Sequence, residues 1–277
     1  MTTTDVSVDE DPTATNTIPG PEASYRALLA AAFVILWVEW AAMLKLIRHH
    51  GAIISGDESH YLVGAVSLGR FFTLNMNPGY NFAVVHHAIY AWTARPGPHL
   101  AAVIGQVHLS HDVYFLTHAI GLSALLALPM LAGTGAAQLA LIAMLAALAV
   151  GLVHLTGVLS GNRSPWRVAI AGLFLAPAVA LAATQVYPDL ISGFVMAIII
   201  MIMATVELRL EFTTPRLVVV ALSFVVLPWF DQKNILLTLL LLVAWVILWR
   251  HTRGSWGKLR WVVAPTLVSL VGLVALN

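Results

Sequence analysis

The segment Gly56-Asp57-Glu58-Ser59-His60-Tyr61-Leu62 places two carboxyls and an imidazole directly after a glycine turn. Such a set can act as a general base or bind a metal. Read for structure alone, it is a surface helix with Asp57 at its N-terminus, where the helix dipole favours a carboxylate. Two other polar clusters interrupt apolar sequence, Tyr187-Pro188-Asp189 and Leu227-Pro-Trp-Phe-Asp231-Gln232-Lys233-Asn234. In the second, Lys233 is a compact charge suited to an anionic head group, with Asp231 to position it. The alternative is a polar turn with an interfacial Trp229. The first is equally well explained by Asp189 capping the helix that Pro188 opens.

Glu39 lies inside an apolar run, where a carboxyl must face protein; it either binds substrate or bonds a neighbouring helix. His86-His87 and His108-x-x-His111-Asp112 permit a histidine metal site, although their spacing matches no strong zinc signature. The sequence has no P-loop, no G-x-G-x-x-G and no G-x-S-x-G, which weakens nucleotide and serine-hydrolase readings. With no cysteine there is no disulfide framework, thiolate site or thiol nucleophile.

Positioning these groups falls to apolar helices. Of 277 residues, 60% are hydrophobic and 10% charged, far below the roughly 25% charged content of soluble domains. The formal charge of +1 offers no basic surface for nucleic acid. Residues 1–25 are polar and acidic, which predicts a disordered cytoplasmic tail rather than a cleavable signal peptide. Apolar stretches follow at 26–48, 113–132, 136–158, 167–186, 190–208, 215–230, 234–250 and 261–276. Each is of the order of the ~20 residues needed for one helical crossing.

Sidedness reduces eight stretches to seven spans. Arg163 and Arg167, Arg209 and Arg216, and Arg250, Arg253, Lys258 and Arg260 fill three short connectors. Basic connectors lie in the cytoplasm, and an inside N-terminus satisfies all three only if one stretch before residue 136 does not cross. The stretch 113–132, with His118 and Pro129 inside it, is the weakest; it is expected to lie on, or re-enter, the outer face. The expected fold is therefore an all-α polytopic module over 26–277, with a large outer loop at 49–135. Glu39, Asp57, Glu58, Asp112, Asp189 and Asp231 all fall towards that outer face. So do nine of eleven histidines: His49, His50, His60, His86, His87, His99, His108, His111 and His118.

Gly56 to Leu62, Tyr187 to Asp189 and Leu227 to Lys233 together resemble one branch of the bacterial GT-C-fold glycosyltransferases, which use polyprenyl-phosphate-linked sugars. Members of that branch carry Gly-Asp-Glu-Pro-His-Tyr-Leu in the first outer loop. A Tyr-Pro-Glu turn and a Leu-Pro-Trp-Leu-His-x-Lys/Arg-Tyr turn follow. The apolar run from His118 to Pro129 is similar to the outer-loop segment of the same branch. Here Ser59 stands for the proline, Asp189 for the glutamate, and Asp231 and Asn234 for the histidine and tyrosine.

The resemblance implies sugar transfer from a polyprenyl-phosphate donor to the hydroxyl of a glycan or lipid acceptor, on the outer face of a bacterial plasma membrane. Asp57 would be the general base. Glu58 would orient the loop or bind sugar, and Lys233, helped by His60 or His87, would stabilise the departing phosphate. Tyr61, Tyr187, Asp189, Asp231 and Gln232 complete the implied substrate-binding set. No cofactor is required, although a divalent cation bridging Asp57 and the phosphate is compatible with these residues. Members of the branch usually continue into further spans, which implies a membrane partner that completes the enzyme. Two other readings stand beside it: a non-catalytic GT-C-like subunit or lipid-binding module, and a histidine-loop metal-binding membrane protein.

Overall fold

A computed structural model describes residues 21–49, 57–86, 89, 107–110, 113–116, 119–161, 164–208, 214–252 and 256–276. Eleven helices account for nearly all of them. They are α1 (Pro21–His49), α2 (Glu58–Phe71), α3 (Asn77–Val85), α4 (Gly121–Met130), α5 (Thr134–Leu159), α6 (Ser164–Phe174), α7 (Pro177–Ala183), α8 (Pro188–Glu207), α9 (Thr214–Phe230), α10 (Asn234–His251) and α11 (Trp256–Leu276). The helical expectation holds, with one addition. Val107–Ser110 (β1) and Val113–Leu116 (β2) pair antiparallel, Val107 opposite Leu116 and Ser110 opposite Val113. The second, Val-Tyr-Phe-Leu, is rich in the β-branched and aromatic residues that suit strands.

Five helices, α1, α5, α8, α10 and α11, are long and apolar enough to cross a bilayer, and α6 with α7 makes a sixth if that bent pair is one span. The chain is an integral membrane protein. The single span expected over 167–186 is instead two helices meeting at 55°. Its break follows from Pro177: the preceding Ala176 is forced to extended backbone (φ −64°, ψ 134°). The Trp40 indole of α1 donates to the Phe174 carbonyl at 3.2 Å, satisfying an acceptor that the break exposes.

Helix α1 packs antiparallel to α5, because Tyr25 bonds His154 near one end and Arg48 bonds Gln138 near the other. The end of α1 and the start of α5 therefore lie at the same end of the bundle, so residues 50–133 begin and finish on one side. Helix α4, ten residues long, spans about 15 Å and is too short to cross. It lies parallel to α2: Ser123 Oγ donates to the Tyr61 carbonyl at 2.9 Å and Arg70 donates to the Leu131 carbonyl at 3.0 Å. Gly69 packs directly on the Ala127 backbone, an approach with no room for a Cβ.

A second expectation fails. Helix α2 is no surface helix, since Glu58 through Ser67 are all buried. Its sequence mixes Ser, His and Gly with apolar residues because α3 and α4 cover it, and the small and hydrogen-bonding side chains permit that close packing. The two bundle ends differ in character. Around the α8 and α10 N-termini lie Asp57, Glu58, Asp189, Asp231 and Lys233, the rim end. The opposite, basic end carries Arg167, set over the Tyr25 ring at 4.8 Å, together with Arg216, Arg250, Lys258 and Arg260 near helix termini.

Candidate functional site

Three turns far apart in sequence meet at the rim end. Helix α2 begins at Glu58, and Asp57 occupies its N-cap position, with its carbonyl accepting from the His60 and Tyr61 N–H groups at 3.0 and 3.3 Å. Pro188 opens α8, as its fixed φ suits a first helical position. Asp189 stands in the first turn. Pro228 lies just before the end of α9, and Asp231, Gln232 and Lys233 carry the chain into α10.

Glu58 holds the first turn to the second. Its Oε1 accepts from the Val186 backbone N–H at 2.9 Å and from Gln138 Nε2 at 3.5 Å. Gln138 in turn accepts from Arg48. This line of polar contacts joins α1, α5, α2 and the chain entering α8, and both Glu58 and Gln138 are buried. These bonds fix Glu58 between α2, α5 and the chain entering α8. Neither Gln138 nor Arg48 stood out in the sequence; the signal was a lone Gln in the apolar run of α5.

Lys233 joins the second turn to the third. Its Nζ donates to Asp189 Oδ1 at 2.5 Å and to Asp231 Oδ2 at 3.0 Å. Asp231 Oδ1 also accepts the Lys233 backbone N–H at 3.1 Å, closing a local turn. These bonds to Asp189 and then Asp231 raise the Lys233 pKa above its ordinary value. Asp231 is thus a positioning group for Lys233, while Asp189 approaches it from across the rim instead of capping α8. Gln232 is exposed beside them.

Tyr187 and Tyr61 link the third side. Burial pushes the Tyr187 phenol up; the neighbouring Asp57 and Glu58 charges add to this, while their backbone hydrogen bonds oppose it. Burial likewise raises Tyr61, followed by the fields of Asp231, Asp57, Asp189 and Tyr187. Tyr61 therefore senses carboxylates from all three turns. Asp57, Glu58, Tyr61, Tyr187, Asp189, Asp231 and Lys233 belong to one neighbourhood.

His60 is buried against α3. It is 2% exposed, its Nδ1 lies 2.7 Å from the Tyr80 hydroxyl, and its ring packs edge-on to Tyr80 of α3. His87 lies outside the described residues, as do Gly56, His111, Asp112 and His118; of His108 only the strand backbone is described. His86 is exposed and packs on the Phe82 ring at 4.3 Å. Among the described residues, no three histidine or carboxylate groups are arranged to hold a metal ion.

Asn234 is a further polar residue of the rim. It is buried, donating from Nδ2 to Ser192 Oγ at 2.9 Å and to the Leu227 carbonyl at 3.2 Å. It ties the starts of α8 and α10 beneath the Lys233 triad. Trp229, read as an interfacial anchor, donates its indole N–H to Ser269 Oγ of α11 at 2.6 Å. Glu39 is half-buried on α1, and its Oε2 has no hydrogen-bond partner among the described residues. Comparison with known protein families, curated proteins and solved structures gives no match.

Proposed function

We propose that this protein is a membrane glycosyltransferase that moves a sugar from a polyprenyl-phosphate donor to an acceptor hydroxyl at the outer face of a bacterial plasma membrane. The observation carrying this reading is the meeting of the three turns around Tyr61, which gathers Asp57, Tyr187 and the Asp189–Lys233–Asp231 triad at one end. In the proposed reaction Asp57 accepts the proton of the acceptor hydroxyl as its oxygen bonds to the anomeric carbon. The bond from that carbon to the phosphate oxygen breaks, and its electron pair leaves with polyprenyl phosphate. General-base assistance of this kind contributes about 10²–10⁴-fold. Lys233 supplies the positive charge nearest the departing phosphate, and the two aspartates hold its ammonium in place until a lipid phosphate takes up a share of its hydrogen bonds.

The sidedness belongs to the same proposal. Taking 17-residue α9, about 25 Å long, as a crossing gives seven spans. With the basic end in the cytoplasm, the N-terminus is inside and the rim outside. The test is transfer in proteoliposomes holding a polyprenyl-phosphate sugar, with Asp57→Asn compared to the native chain. Loss of at least 100-fold in rate with unchanged thermal unfolding supports the assignment; full activity removes Asp57 from the chemistry.

One observation favours a second reading. Lys233 is already engaged by two carboxylates, an arrangement that also suits a purely structural clamp in a non-catalytic membrane subunit. Copurification of a stoichiometric membrane partner, with no transfer by the chain alone or in that complex, would favour it.

A further inference from the structure

Helices α9 and α11 run parallel, both starting at the basic end. They are pinned near the rim, where Trp229 donates to Ser269 and Ser269 donates to the Val225 carbonyl at 2.7 Å. Towards their N-termini they leave a groove of about 380 Å³. Its walls are Leu217, Val218, Ala221 and Leu222 of α9, with Lys258 and Trp261 of α11. Val218, Leu222 and Trp261 are each at least half exposed. Pro265 lies one turn beyond Trp261 and removes a hydrogen bond from the α11 ladder there, a usual site for a helix to diverge.

Length and charge identify the occupant. From Thr214 at the mouth to Leu222 the groove follows about 12 Å of helix, close to the ~15 Å thickness of one hydrocarbon leaflet. Its wall is apolar along that depth and cationic only at the mouth, at Lys258. The N-termini of two long helices carry partial positive charge at the same level, and Arg260 sits 5.9 Å from the Trp261 ring centre. Among the lining residues the one charge is the Lys258 ammonium; an anionic head group complements it, whereas a zwitterionic one brings its own cation to the same place.

We propose that the α9–α11 groove binds one acyl chain of an anionic phospholipid, with the head-group phosphate at Lys258. The site lies at the opposite end of the bundle from the rim, and it does not depend on the sugar-transfer reading. The test uses the full-length chain in detergent, titrated with phosphatidylglycerol or phosphatidylcholine and observed by native mass spectrometry. Phosphatidylglycerol should be retained preferentially. Lys258→Gln should weaken its retention about fivefold, the weight of one basic residue at an anionic surface, and weaken phosphatidylcholine, whose choline offsets its phosphate, by less. Val218→Phe, at an exposed wall position, should displace both lipids while leaving the thermal midpoint unchanged. Equal retention of the two lipids by the native chain, or phosphatidylglycerol retention unaffected by either substitution, overturns the proposal.

Discussion

Glu58 accepts a hydrogen bond from the backbone of Val186, 128 residues further along the chain, at 2.9 Å. A buried carboxylate binding a main-chain N–H fixes two segments at once, because neither partner has water to fall back on. Here it holds the start of α2 against the chain that enters α8. Asp57 and Tyr187, one residue to either side of those partners, are brought together as a result.

Replacing Glu58 by Ala should therefore destabilise the protein by about 1–3 kcal/mol, the cost of leaving a buried donor unsatisfied. Glu58→Gln, which keeps one acceptor oxygen, should cost less. Thermal unfolding in detergent distinguishes them, and a neutral Glu58→Ala would show that the Val186 bond is dispensable.

The Lys233 triad should behave differently. Its lysine and Asp189 side chains are 59% and 62% exposed, so each pair contributes at most about 1 kcal/mol. A double-mutant cycle of Asp189→Asn and Lys233→Met should give a coupling of that size, screened by added salt. Asn234→Leu, which removes buried bonds to Ser192 and Leu227, should cost more than either.

Alkaline pH should weaken the fold. Lys233, Tyr61 and Tyr187 all have folded-state pKa values above their ordinary ones. Each contribution is complete below the unfolded pKa, near 10 for the phenols and 10.5 for the lysine, and is lost as pH rises towards the folded value. The unfolding midpoint should be level from about pH 8 and fall above about pH 10. Tyr61→Phe should flatten that fall, and an unchanged slope would contradict the assigned burial.

Close packing of α2 on α4 sets a further expectation. Gly69→Leu must push a side chain into the Ala127 backbone, at a cost of about 1–3 kcal/mol from overpacking. Gly151→Ala, where a Cβ meets open space, should be neutral or slightly stabilising. The two variants differ in unfolding midpoint if the α2–α4 contact is as tight as described.

A chain with no cysteine allows the sidedness to be read directly. Gln232→Cys should react with a membrane-impermeant maleimide on intact cells, and His251→Cys only after permeabilisation. The reverse pattern would invert the proposed orientation.

Much of this was legible in the sequence because bilayer helices announce themselves by length and hydropathy. The turns at Asp189 and Asp231 stood out as polar islands between apolar runs, and the N-cap position of Asp57 followed from its glycine. What escaped was anything decided by neighbours. Helix α2 has the mixed composition of a surface helix, and only the covering α3 and α4 reveal why it is buried. His60 looked free for chemistry until Tyr80 engaged it. The break before Pro177 was concealed by the unbroken hydropathy of 167–186, since a bend changes geometry and leaves composition alone.

The span of 128 residues between Glu58 and Val186 has a consequence in time as well as space. Ribosomes add roughly 5–20 residues per second, so the nascent chain carries this acid for about 6–25 s before its backbone partner is made. During that interval the chain grows from about a fifth to two thirds of its length with this acid unpartnered by Val186, and whatever shields its unfinished surface in the translocation apparatus becomes part of its assembly route.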